Sequence, residues 1–191
     1  MDAIEAIRGR RSIRRYDERP VARDLIEEII RDAASGPYTF VSLPEPWQFT
    51  VIEGRERIAR YGEIAKAYAR DRRPQVEHYE WADRSDFSVF HGAPTVVVIS
   101  ARESNPEGRG ECERAGQNLA LSAHARGLGS CWVGSSNLWV RDPATRAELG
   151  IPAGLVPHAV FALGYPVDRP DPPPPIEPRI IWTGSDDPAV A

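Results

Sequence analysis

The chain has 191 residues, a formal net charge of −4 and a sequence pI near 5.6, a mildly acidic balance that argues against generic nucleic-acid binding. A hydrophobic fraction of 41% and a charged fraction of 27% fit a globular protein with one sizeable core. The start has no basic region followed by an apolar stretch, and the longest strongly apolar run, 95–99, is far too short to span a bilayer. The expectation is therefore a cytoplasmic protein with no signal peptide and no membrane role.

Residues 2–8 read as a short helix with Ile4 and Ile7 on one face. Gly9 interrupts that pattern, and a glycine can take backbone angles that a residue with a Cβ resists. The next stretch, Arg10-Arg11-Ser12-Ile13-Arg14-Arg15-Tyr16, concentrates positive charge in an otherwise acidic chain. Guanidinium forks match phosphate oxygens in pairs, and the serine hydroxyl adds a smaller donor. The loop is thus a candidate anion site; the alternative is a solvated basic turn.

After a turn at 17–20, Leu25, Ile26, Ile29, Ile30 and Ala33 form a helical stripe that Gly36-Pro37 ends. Residues 38–47 form a loop rich in apolar and aromatic groups. Residues 48–52 alternate as a strand, and 55–70 follow as a helix with Ile58, Tyr61, Ala65 and Tyr68 at helical spacing. Residues 71–88 have no clear period but hold Tyr79, Trp81 and Phe87, expected either as a lid or pocket wall or as ordinary packing under a loop.

The unbroken β-branched run at 95–100 predicts a strand covered on both faces. After a polar turn at 105–110, residues 111–126 read as a long helix with Ala115, Leu119, Ser122 and Ala123 on one face. Such small residues would admit another helix or a symmetry mate. Gly127-Leu128-Gly129 caps it, 130–134 continues extended, and Asp142-Pro143 starts a helix that ends at Gly150. Residues 158–163 form the last strand. From residue 168 onward proline dominates, which excludes helix and central strand and leaves an extended arm. Strands separated by helices, with neither repeat nor second domain, give an α+β fold of one domain over 1–191, with 168–191 as the arm.

Cys112 and Cys131 are the two cysteines, with no CxxC spacing. Together with the scattered His78, His91, His124 and His158 they give no metal site and no nucleophile pairing, so packing or surface roles are expected.

Four segments, taken in order, resemble the FMN-dependent nitroreductase family. They are residues 10–16, Pro46-Trp47-Gln48-Phe49, the run from Gln117-Asn118-Leu119 through Gly127-Leu128-Gly129-Ser130-Cys131-Trp132-Val133-Gly134, and Ala162-Leu163-Gly164-Tyr165-Pro166 before the proline-rich tail. The resemblance implies a mixed sheet flanked by helices and a domain-swapped homodimer with a flavin at each subunit interface. It places the phosphate and ribityl anchors on Arg10, Arg11, Ser12 and Arg14, with Arg179 as a second phosphate contact. Cys131, Trp132, Val133 and Gly134 would run beside the isoalloxazine ring, the N–H of Val133 or Gly134 pointing at flavin N5. No side chain is expected to be catalytic.

The implied activity is hydride transfer from NAD(P)H through FMN to a nitroaromatic, quinone or similar planar acceptor. One departure opens a second reading. Leu43 and Glu45 stand where the family carries Asn and Gln in the loop that reaches the pyrimidine edge. A flavin- or ligand-binding module without turnover is the alternative that follows.

Overall fold

In the computed structural model, which describes residues 1–39, 45–72, 79–174 and 176–183, the sequence reading of the elements holds closely. Helix α1 (Ala3–Gly9) opens on a reciprocal cap: Glu5 N–H donates to Asp2 Oδ1 and Asp2 N–H to the Glu5 carboxylate. Helix α2 (Arg23–Ala33) buries Ile26, Ile29 and Ala33. Strand β1 (Gln48–Glu53), helix α3 (Arg55–Asp71) and strand β2 (Thr95–Arg102) follow. Helix α4 (Gly108–Ala125) begins three residues earlier than expected, and residues 129–132 of the extended segment pair as a true strand, β3 (Gly129–Trp132). Three features carry no sequence signal: 3₁₀ turns at Glu80–Asp83 and Gly134–Ser136 and the short helix α5 (Asn137–Arg141). Helix α6 (Pro143–Glu148) starts as expected, the Asp142 carboxylate accepting from the N–H groups of Ala144 and Thr145. Strand β4 (Leu155–Gly164) begins earlier than the sequence suggested.

The four strands form one sheet in the order β1-β2-β4-β3, each pair antiparallel. Pro157 has no N–H to give the ladder, and the β2–β4 register shifts between Ile99 and Ser100, the residue it faces. Both faces are covered. Val96 and Val98 join a core with Ile58, Tyr61, Trp139 and Val160, under α3 and α5. Val97 and Ile99 join another with Ile29, Ala115, Leu119 and Phe161, under α2 and α4.

The chain between α1 and α2 lies along the β3 edge. Ile13 N–H donates to Ser130 O at 2.9 Å, and Ser12 and Ser130 form a parallel bridge. Leaving β4, the chain returns beside the same loop: Asp17 N–H donates to Tyr165 O and Val167 N–H to Arg15 O. Beyond it, residues 168–174 and 176–183 have neither helix nor strand and are exposed, as their proline content dictates.

Candidate functional site

The arginine loop is fixed by its apolar members. Ile13 is 1% exposed and Tyr16 is buried, its hydroxyl donating to Ile13 O at 2.7 Å. With these two turned into the core, Arg10, Arg11, Ser12 and Arg14 are left to line a cavity of about 460 Å³, closed on its far side by Pro170, Asp171 and Pro173 of the tail. Gly9, read as a residue of special backbone angle, is not in the left-handed region. Its reason is close approach: a Cβ there would stand 2.9 Å from His124 Nε2.

A second cavity of about 130 Å³ shares Arg10 and Ser12 with the first. Ser130, Trp132 and Phe161 line it from the sheet, Glu113 and Gln117 from α4. The Trp132 ring, 46% exposed, stacks on Phe161 at 6.0 Å between centroids. The two cavities make one cleft, basic at one end and aromatic at the other.

The electrostatics set this loop apart from a solvated turn. Arg15 pairs with Asp168, but among the described residues no carboxylate pairs with Arg8, Arg10, Arg11 or Arg14. Arg11 folds back, its Nη1 donating to Arg8 O and Arg10 O, and its Nε is buried without a partner. A buried donor left unpaired is costly, and a multivalent anion would satisfy Arg11 Nε together with the more exposed guanidinium donors beside it.

The other expected site residues divide. Trp132 faces the cleft, whereas Cys131 before it points into the opposite core with Val133. Burial pushes the Cys131 thiol up, against a smaller opposing effect of Arg14 and Arg10. Val133 N–H is committed to Val160 O at 2.8 Å, so of the two amides named for the ring, Gly134 N–H is the one without a backbone acceptor among the described residues. Arg179 is exposed in the tail and lines neither cavity. Tyr79, Trp81 and Phe87 stack in sequence at 5.4 and 5.3 Å, and Trp81 and Phe87 pack on the core. Packing, not a wall of this cleft, is their role here. Leu43 lies outside the described residues. Glu45 is 78% exposed and pairs with Arg102 at 3.6 Å.

Sequence reading missed Ser130, Phe161, Glu113 and the tail wall. Ser130 could have been found, since strand alternation puts it on the same face as Trp132. Among the described residues no group of three or more His, Cys, Asp or Glu side chains could hold a metal ion, and no helix is long and apolar enough to cross a membrane.

Comparison with known proteins identifies a family. The model of the nitroreductase family matches residues 7–165. A protein of Methanothermobacter thermautotrophicus assigned as an NADH dehydrogenase/NAD(P)H nitroreductase is 32% identical over 174 residues, covering 89% of this chain and 80% of that one. A protein of Archaeoglobus fulgidus with the same assignment is 28% identical over 175 residues, 89% and 88% of the two chains. The FMN-bound nitroreductase structure from Bacteroides fragilis matches with a TM-score of 0.78 at 24% identity over 97% of each chain. That from Desulfitobacterium hafniense, also with FMN bound, matches at 0.80 and 21% identity, over 96% of this chain and 100% of the other.

Proposed function

Because the chain belongs to the nitroreductase family, we propose that it is an FMN-dependent oxidoreductase. It works as a homodimer, with NADH or NADPH as hydride donor and a planar nitroaromatic, quinone or similar acceptor. The observation that carries this reading is the cavity of unpaired arginines. Its donors suit a flavin phosphate, which bears about two negative charges near neutral pH, and the related structures from Bacteroides fragilis and Desulfitobacterium hafniense hold FMN in this fold.

Arg10, Arg14 and Ser12 would grip the phosphate oxygens, with Arg11 Nε completing the set. Bound FMN supplies the two-electron chemistry, which no side chain here can carry. The chain's own contribution is placement and electrostatics: Gly134 N–H offers a fixed donor to the ring, and the Trp132–Phe161 stack bounds the apolar end of the cleft. Arg179 is assigned as a further phosphate contact supplied by the tail across the dimer. The module without turnover gains nothing from Glu45, whose carboxylate is held by Arg102 at the surface.

Titrating the apo-protein with FMN, and with riboflavin as the phosphate-free comparator, tests the assignment. Arg10→Ala is expected to weaken FMN at least about tenfold, the loss of one charge-assisted hydrogen bond, and to leave riboflavin unchanged. Bleaching of the bound flavin by NADH or NADPH completes the case. Tight FMN binding without bleaching by either would select the module, and no binding of FMN at all would overturn both.

A further inference from the structure

The tail that leaves β4 is tied to the arginine loop, and one of its ties is a histidine. Val167 N–H donates to Arg15 O at 3.1 Å, and Asp168 pairs with the Arg15 guanidinium. Arg169 then reaches over the C-terminal end of α4, donating from Nη2 to Gly127 O at 3.1 Å and from Nη1 to His124 Nδ1 at 3.0 Å. The next residues, Pro170, Asp171 and Pro173, are the outer wall of the arginine cavity.

A guanidinium has donors only, so His124 Nδ1 must present its lone pair and the ring must be neutral, with its proton on Nε2. Gly9 closes the Nε2 side, where any Cβ would stand 2.9 Å away. The charges facing the ring are Arg169 from the tail and Arg10 and Arg11 from the loop, all positive; burial first, and then these three, hold its pKa below 6.5.

We propose, resting on the flavin-phosphate reading above, that His124 and Arg169 are positioning residues for that phosphate. Neutral His124 holds Arg169, Arg169 holds the tail as the cavity's outer wall, and protonation of His124 releases the wall and loosens the grip on the ligand. On protonation Nδ1 becomes a donor facing a donor, and a fourth positive charge enters a group of three. If the ring acted only as one more charge beside the phosphate, its protonation would tighten binding instead. The sign of the pH response therefore decides between the two.

The test is FMN affinity between about pH 7.5 and 5.5 for the parent, His124→Gln and Arg169→Ala. Glutamine keeps a neutral acceptor and cannot be protonated in that range; the phosphate's own titration, near pH 6, is common to all three. The parent is expected to lose severalfold more affinity on acidification than His124→Gln. Arg169→Ala is expected to be weakened already at pH 7.5 and to follow the shallower slope. Superimposable profiles for parent and His124→Gln, or a parent that tightens relative to it, overturn the proposal.

Amide exchange at Val167, whose N–H donates to Arg15 O, gives a readout in the apo-protein that needs no flavin. At pH 5.5 the parent should exchange faster than His124→Gln, and equal protection overturns the latch. If the parent binds no FMN even at pH 7.5, the flavin reading falls and this exchange comparison alone decides the latch.

Discussion

Gly129 shows how a single missing methyl group places the candidate site. A Cβ there would lie 2.6 Å from Ile13 Cγ1, 2.8 Å from its Cβ and 2.9 Å from its Cγ2. Ile13 cannot step aside: it is β-branched, buried, and its N–H is bound to Ser130 O. Gly129→Ala should therefore push the arginine loop off the β3 edge. The expected cost is about 1–3 kcal/mol, as for other overpacked positions, together with weakened FMN binding. Denaturant midpoints and an FMN titration check it, and a variant with the parent's midpoint and affinity would refute the account. Two residues earlier, Gly127 has φ +81° and nothing within 4 Å of a built Cβ. It is the helix stop that the sequence suggests, and alanine there meets only the left-handed backbone penalty of about 1–2 kcal/mol. The same Gly-Leu-Gly triplet thus contains two glycines kept for different physical reasons, of which periodicity reveals one.

Among the elements, α4 ties the site to the rest of the fold. Its small face, legible in the sequence, meets the sheet and α2 within one protomer: Ala115, Leu119 and Ala123 are core, and Ser122 Oγ donates to Asp32 of α2 at 2.7 Å. Its buried acid was not legible. Glu111, in the first turn, resembles any carboxylate placed to favour a helix dipole, yet it is 0% exposed. It accepts from Thr39 N–H at 2.7 Å, Thr39 Oγ1 at 3.0 Å and Asn105 Nδ2 at 2.9 Å. Three residues on, Arg114 Nε donates to Pro37 O, so α4 anchors the start of the α2–β1 connection. Glu111→Leu would remove the buried carboxylate that accepts these three hydrogen bonds, and we expect a loss of about 3 kcal/mol in the free energy of unfolding by urea. A change below about 1 kcal/mol would show that these bonds contribute little. Periodicity revealed the long helices and β1, whereas β2 and β4 showed as short apolar runs that end up buried on both faces. The four-residue β3 and five-residue α5 are too short to show a period, and partners elsewhere in the fold decide them.

For the whole molecule, the sequence made the basic half of the cleft visible because Arg10, Arg11, Ser12 and Arg14 fall within one short stretch of the chain. The rest comes from Ser130, Phe161 and the tail, more than a hundred residues away, and only the sheet brings them together. The protomer also leaves several large apolar side chains exposed. Ile4 and Ile7 are exposed along α1, Ile7 lining the arginine cavity itself, and Ile176, Ile180, Ile181 and Trp182 are exposed on the tail, Trp182 at 70%. Beside α1, Met1, Ile7, Leu121 and Ala125 line a groove of about 330 Å³. Each such isoleucine fully covered by another surface contributes about 1.5–3 kcal/mol, so a second copy that takes the tail against its α1–α4 surface would gain several such terms. Sedimentation equilibrium should then report twice the 21.2 kDa protomer mass at micromolar concentration, and Ile180→Asp with Trp182→Asp should shift the protein toward monomer and weaken FMN binding together. A parent that stays monomeric across that range would mean that the exposed isoleucines answer to some other partner. A monomeric double variant with full FMN affinity would detach the cofactor site from the dimer.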